Sequence, residues 1–254
     1  MSGVFNDVYA GYYDLLYRDK DYATEATYVA DCLKRHGVEG GAILDLGCGT
    51  GKHALELGRL GFDVLGVDKS DAMVRIANQQ PPQDGVRRSE FAVGDVRTYR
   101  SSRVFDAVIS LFHVVSYQTT NEDLGATFET AAHHLRSGGL FLFDCWYGPA
   151  VLTERPSARL KRIEAETLTV MRIAEPILSV HDNLVTIDYT ILVQTAGAVS
   201  QSLRERHVLR YLFEPEVGDL LRRTGFELVE AHESGTGRSL GADTWSATFV
   251  AKRR

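Results

Sequence analysis

Residues 42–60 read AILDLGCGTGKHALELGRL. A short apolar run ends in an acid, Asp45, and passes through Gly47, Gly49 and Gly51 into a stretch with helical spacing. A buried parallel strand followed by a glycine turn and a helix is the simplest reading. Glycines in such a turn permit positive φ and let a ligand come close to the backbone. The spacing is G-x-G-x-G, which differs from the G-x-G-x-x-G of nicotinamide binders, and no G-K-[ST] follows as in a phosphate-binding P-loop.

The pattern around this stretch repeats the same alternation. Residues 21–37 have helical spacing with Gly37 as a stop, DVLGVDKS (63–70) reads as a second strand, and DAMVRIANQQ (71–80) as a helix that opens on Ser70 and Asp71 and ends at Pro81-Pro82. SEFAVGDV (89–96), FDAVISLFHVV (105–115) and LFLFDCW (140–146) read as three further strands, with a helix over 121–136 between the last two. Strand–helix alternation at this rhythm predicts a parallel sheet covered by helices on both faces. After Pro149 the rhythm changes: LTVMRIAEP, LVTIDYTILVQ and SQSLRERHVLRYLF are strand-like, with turn signals at His181-Asp182-Asn183 and Ala196-Gly197. Successive strands on short connections predict an antiparallel sheet. The chain then returns to a helix (EPEVGDLLRRTG) and two strands (FELVEAHES and TWSATFVAKR) joined by the glycine-rich SGTGRSLGAD, so the antiparallel segment reads as an insertion.

Three acids close neighbouring strands: Asp45, Asp68 and, in Gly94-Asp95, a third. The carboxyl ends of parallel strands form the ligand crevice of such sheets. Asp45 stands ready for a cationic group, Asp68 for a pair of ribose hydroxyls and Asp95 for an adenine amino group. Carboxylates in these places suit a ligand carrying an ammonium and a sulfonium, and suit a diphosphate poorly.

The combination ILDLGCGTGKHALEL, VLGVDKS, VGDV and FDAVISLFHVV resembles the class I S-adenosylmethionine-dependent methyltransferases over about residues 40–146. The resemblance implies an α/β fold, a Rossmann-like seven-stranded methyltransferase sheet with an inserted antiparallel β-sheet. It divides this single domain into an N-terminal helical cap (1–38), a cofactor-binding core (39–147), the insertion (156–213), and a returning helix with a final β-hairpin (214–254). The cofactor implied is S-adenosyl-L-methionine. Gly47, Gly49 and Gly51 would line its methionine part, Asp68 would hold the ribose, and Asp95 with Val96 the adenine. Phe112 and His113 would lie beside the sulfonium, and Asp45, Lys69, Met73, Gly94 and Leu111 complete the expected set.

The flanks resemble, more narrowly, the N-methyltransferases of nucleotide-linked amino-deoxysugars, whose N-terminal aromatics cap the cofactor and whose insertion walls the acceptor cleft. Phe5, Tyr9, Tyr13 and Tyr22 are the aromatic candidates here, with Tyr13 and Tyr22 on the cofactor and Tyr9 on the acceptor. Trp146, Tyr147 and Arg238 are further acceptor-binding candidates, Arg238 through a bidentate contact to a phosphate or carboxylate. Where those enzymes carry a His after the fourth strand this chain has Tyr117, with His113 four residues earlier; these two are the candidate catalytic groups. The expected reaction is methylation of the amino group of a nucleotide-linked amino sugar. O-methylation of a sugar hydroxyl or small carboxylate is the alternative, and non-catalytic cofactor binding a remote one.

The chain's 254 residues, 44% hydrophobic, suffice for a buried core. A net charge of −6 with scattered cations disfavours a nucleic-acid partner. Cys32, Cys48 and Cys145 share no metal-ligand spacing and no Asp/His cluster stands out, so no metal is expected. No signal-type start and no long apolar run are found. The expectation is a cytoplasmic protein without membrane contact, acting on a small-molecule acceptor and assembling, by the resemblance, as a homodimer.

Overall fold

The computed structural model describes residues 7–81, 85–165, 168–195 and 198–254, with side chains from Tyr12 onward. The chain begins with α1 (Asp7–Leu16) and α2 (Tyr22–Arg35) and then alternates: β1 (Gly41–Leu46), α3 (Lys52–Arg59), β2 (Phe62–Asp68), α4 (Asp71–Asn78), β3 (Ser89–Val93), β4 (Phe105–Ser110), α5 (Asn121–His134) and β5 (Leu135–Trp146). A short α6 (Gly148–Glu154) leads to β6 (Arg159–Glu164), β7 (Leu168–Ser179), β8 (Leu184–Thr195) and β9 (Ala198–Arg210), after which α7 (Glu214–Arg223), β10 (Phe226–Glu233) and β11 (Ser246–Arg253) finish the chain. The principal sheet has seven strands in the order β3-β2-β1-β4-β5-β11-β10. β1, β2, β3, β4 and β5 run parallel, and β11 is antiparallel to both its neighbours. The strand order reverses between β1 and β4, which is where ligands collect in open α/β sheets.

The central strands are apolar on both faces because helices cover both. On one face Leu44, Leu46, Phe105, Val108, Phe141 and Phe143 pack with Phe128 of α5 and Leu221 of α7. On the other, Ile43, Val64, Ile109, Leu140 and Leu142 meet Val29 and Leu33 of α2 and Ala54 and Leu57 of α3. Each fully buried Leu or Phe contributes roughly 1.5–3 kcal/mol relative to an exposed one. The helix starts follow ordinary capping chemistry: the Ser70 hydroxyl accepts from the Met73 N–H to open α4, and Thr120 accepts from Asp123 to open α5.

The four-stranded antiparallel sheet, β6-β7-β8-β9, is inserted between β5 and α7. The insertion leaves and rejoins the domain at one place. The Leu212 N–H donates to the Trp146 carbonyl at 2.9 Å and the Gly148 N–H to the Leu212 carbonyl at 2.8 Å. It packs back in two patches. Ile163, Val170 and Ile191 meet Leu16 of α1 and Met73 of α4, while Val185, Ile187 and Leu209 meet Val151 of α6 and the rings of Trp146 and Tyr117. The insertion sheet is thereby held above the carboxyl ends of the parallel strands.

Two sequence expectations are corrected in detail, and two elements were not expected. The run FDAVISLFHVV is not all strand: β4 ends at Ser110, Phe112 and His113 take φ of 62° and 65°, and a 3-10 turn follows over Val115–Tyr117. The helix expected to 136 stops at His134, and β5 begins at Leu135, with a register shift against β4 between Phe105 and Ala107. β6 and α6 carried no strand or helix expectation. Charged residues at four of the six positions in RLKRIE hide the first, and the brevity of GPAVLTE hides the second.

Candidate active site

One cavity of about 910 Å³ opens at the carboxyl ends of β1 to β4 and runs beneath the insertion sheet. Its floor is the glycine turn. Gly49 has φ +54°, and a Cβ built on it would meet nothing within 4 Å, so the turn presents bare backbone to open space. The neighbouring glycines serve packing. A Cβ on Gly47 would lie 2.5 Å from the Val114 side chain, one on Gly51 2.5 Å from Phe91, and one on Gly94 2.8 Å from Tyr99 and Val67. Gly47 and Gly49 line the cavity; Gly51 and Gly94 do not.

The acids behave differently from one another. Asp45, 2% exposed, has no hydrogen bond or ion pair to its side chain among the described residues, and burial followed by the nearby Asp68 carboxylate pushes its pKa up to about 7. A buried carboxylate without a partner is costly, and a ligand ammonium is the group that would relieve it. Asp68 is held in place by backbone donors, the Gly49 N–H at 2.9 Å on one oxygen and the Ser70 N–H at 2.8 Å on the other. Burial raises its pKa while these two bonds lower it. Each of its oxygens keeps a lone pair for a diol. Asp95 is gripped by the Arg97 guanidinium at 2.9 and 2.6 Å, which holds its carboxyl down at about 2. It lines the cavity, but a ligand amino group would have to share its oxygens with Arg97.

The N-terminal helix closes one side. The Thr50 hydroxyl donates to Asp14 at 3.0 Å and Lys52 pairs with the same carboxylate at 3.3 Å, so α1 is tied to the glycine turn. Tyr13 and Tyr22 reach the cavity, joined by Tyr17, whose ring meets Phe112 edge-on at 5.1 Å. Burial raises the Tyr22 hydroxyl above its ordinary range. Lys69, Met73, Val96, Leu111 and Phe112 also line the cavity. Phe5 lies outside the described residues, as does the side chain of Tyr9.

The turn after β4 supplies the remaining candidates. Phe112 and His113 sit back to back in left-handed backbone, a conformation rare outside glycine and concentrated at functional turns. The His113 N–H donates to Asp144 at 2.8 Å, and its Nε2 lies 3.0 Å from the Ser246 hydroxyl. Burial lowers its pKa, so the neutral ring prevails at neutral pH. Tyr117 points its hydroxyl at Nδ1 of His207, 2.7 Å away, and Nε2 of His207 lies 3.0 Å from the Glu205 carboxylate. Both His207 and Glu205 belong to β9, and neither is among the candidates the sequence offers.

Trp146 lines the cavity, its ring edge-on to His113 at 6.4 Å. Two acceptor-binding expectations are not met. Tyr147, 8% exposed, turns its ring into the core with Leu212 and Val217. Arg238 lies on an exposed loop clear of the cavity, where Glu233 holds its guanidinium at 2.7 and 2.8 Å. The cations that do line the cavity from the insertion are Arg159 of β6 and Arg172 of β7, and nothing in the sequence of either strand marks them as site residues. Among the described residues no group of His, Cys, Asp and Glu is arranged to hold a metal ion.

A parallel sheet with its switch point at β1 and β4, a bare glycine turn and acids at three strand ends fit an S-adenosylmethionine-dependent methyltransferase with a Rossmann-like fold. Residues 43–139 match the methyltransferase domain family. The chain is 29% identical, over 92% of its length and 97% of the relative's, to the dTDP-3-amino-3,4,6-trideoxy-alpha-D-glucopyranose N,N-dimethyltransferase of Streptomyces venezuelae. It is 26% identical, over 94% and 93%, to the dTDP-4-amino-2,3,4,6-tetradeoxy-D-glucose N,N-dimethyltransferase of Saccharopolyspora spinosa. Among solved structures, the sugar N-methyltransferase KedS8 from Streptoalloteichus sp ATCC 53650 superposes with a TM-score of 0.80 at 25% identity, covering 95% of this chain and 92% of that one.

Proposed function

We propose that this enzyme methylates the amino group of a nucleotide-linked amino sugar. The observation that carries the reading is that one cavity joins the acid-and-glycine rim to a polar wall built by the insertion sheet. At about 910 Å³ it stands at the top of the range for small-ligand pockets, roughly 300–1,000 Å³, in keeping with a cofactor and a second small molecule together. On the rim, Asp45 receives the cofactor ammonium, Asp68 the ribose hydroxyls, and Gly49 the close-lying methionine chain. On the wall, Arg159 and Arg172 suit the diphosphate of a nucleotide sugar, taking the role expected of Arg238. Arg159 has no ion-pair partner among the described residues, which leaves its charge for a ligand. The Tyr117 hydroxyl, backed by His207, provides a hydrogen-bonding group where an amine would sit, and the relatives named above act on dTDP-linked amino sugars.

S-adenosylmethionine supplies an electrophilic methyl on a sulfonium whose bonding pair leaves with sulfur. The protein's part is to hold the acceptor nitrogen in line and exclude water, which together are worth several kcal/mol. His113, neutral and tied to Ser246, orients the turn that borders the reacting centre. An amine nucleophile needs only to lose one proton before attack, a task for a modest base.

The acceptor and its setting are tested together. Turnover with S-adenosylmethionine is followed for nucleotide-linked amino sugars, their hydroxy counterparts and small carboxylates. Methylation confined to the amines supports the reading; methylation confined to hydroxyls or carboxylates overturns it and leaves an O-methyltransferase. The Arg159→Ala, Arg172→Ala double variant is expected to raise KM for a nucleotide-linked acceptor tenfold or more while cofactor affinity holds. The same reading places the enzyme in the cytoplasm, in line with three buried free cysteines, and without a nucleic-acid partner, in line with its net charge of −6. No helix among the described residues is long and apolar enough to cross a membrane. Exposed Leu160, Ile177 and Val199 on the insertion sheet support a homodimer formed through it, which sedimentation would reveal.

A further inference from the structure

Along the second half of β9, Leu203, Glu205, His207 and Leu209 share the more buried face, toward the cavity and core, and the exposed Arg204 and Arg206 alternate with them. Two of the inward positions are polar and almost sealed: the side chains of Glu205 and His207 are 3% and 2% exposed. Apolar residues there would pack as well and avoid the desolvation of a carboxylate, which is several kcal/mol. The pair is therefore placed for chemistry, and its geometry says which.

An ionised carboxylate only accepts, so Glu205 draws the proton of His207 to Nε2. Nδ1 of the neutral ring is then an acceptor, and the Tyr117 hydroxyl must donate to it across 2.7 Å. With its proton directed at His207, the Tyr117 oxygen turns its lone pairs to the cavity. We infer that Tyr117, His207 and Glu205 form a proton relay that deprotonates the acceptor amine before methyl transfer, with Tyr117 the residue that touches the amine. This rests on the amine reading above. The acceptor arrives as an ammonium. Its proton passes to the Tyr117 oxygen as the Tyr117 proton passes to Nδ1 of His207. The nitrogen is left with a free pair, and the ring becomes an imidazolium whose charge Glu205 balances. His207 and Glu205 are positioning residues, acting through Tyr117. Tyr189 of β8 also faces His207, edge-on at 4.9 Å, and beyond it Arg172 of β7 lies 5.1 Å above the Tyr189 ring.

Nitrogen-15 spectra of the full-length protein labelled at histidine read the relay directly, with the His207 signals assigned by their loss in His207→Gln. The expected result is a protonated Nε2 and an unprotonated, hydrogen-bonded Nδ1. The opposite tautomer overturns the relay, because Tyr117 then could not hand its proton on. This measurement needs neither cofactor nor acceptor, so it stands even if hydroxyls prove to be the acceptors. In folded Glu205→Gln the acid limb of kcat/KM for an amine acceptor is expected to move about one pH unit lower, with the plateau falling roughly tenfold and cofactor affinity unchanged. A lower plateau with an unmoved limb would show a structural role only and overturn the proposal.

Discussion

At Gly49 and Gly51, two residues apart, the same substitution should do different things. Both hold positive φ, so alanine at either strains the backbone by about 1–2 kcal/mol. At Gly51 the new methyl also runs into Phe91, and Gly51→Ala should lower the thermal midpoint by several degrees. At Gly49 it points into open cavity, so Gly49→Ala should cost less stability and weaken cofactor binding at least tenfold. Calorimetric titration beside thermal melts separates the two, and equal melts with equal affinities would refute the assignment. Asp68 offers a parallel test. Asp68→Ala removes a charged acceptor and should weaken the cofactor by one to two orders of magnitude, roughly 1.4–2.7 kcal/mol. At this scale the position of the acids and Gly49 on the cavity was legible because residue type and strand end coincide. Arg238 was not, since a loop arginine reads alike whether it meets a ligand or, as here, the carboxylate of Glu233 at the end of β10. The signal for Glu205 and His207 was present in LRERHVLRY as polar residues at the apolar parity of a strand, but parity shows burial and not which wall is met.

Among the elements, those with long unmixed patterns were read correctly. β1 and β2 are apolar runs bounded by turns, α2 has a periodic face capped by Asp21, and α7 has a periodic face that opens on Pro215. The overrun of β4 has a definite cause. Leu111, Phe112 and Val114 are as apolar as a strand, but the chain turns there because the Ser110 hydroxyl binds the Leu46 carbonyl and the His113 N–H is drawn to Asp144, both tertiary contacts. α1 makes a prediction of its own. Its hold on the glycine turn runs through one carboxylate, shared by Thr50 and Lys52. Asp14→Ala should loosen the helix from the turn, accelerate cofactor dissociation about fivefold and leave the thermal midpoint within a degree or two, since Asp14 is part exposed. Stopped-flow release measures the first quantity; an unchanged rate would mean that α1 does not retain the cofactor.

For the molecule as a whole, the buried acids couple stability, pH and cofactor. Asp45 has a folded pKa raised to about 7 from an ordinary 3.8, chiefly by burial. A group raised in the folded state contributes most below its unfolded value, and that contribution is lost as pH rises toward the folded value. The cofactor-free protein should therefore lose stability between about pH 4 and pH 7 on this account, by an amount on the order of a few kcal/mol. Asp68, also raised by burial, adds in the same direction. An ammonium beside Asp45 reverses the balance by favouring the carboxylate, so cofactor binding should expel a proton and tighten as pH rises toward 7. Asp45→Asn removes the titration. It should flatten the stability profile of the free protein, bind the cofactor more weakly at pH 8, and release fewer protons on binding. Titration calorimetry in two buffers of different ionisation enthalpy counts those protons directly. The unmodified protein should release a fraction of a proton near pH 7 that Asp45→Asn does not; equal release by both would place the perturbed acid elsewhere in the cavity.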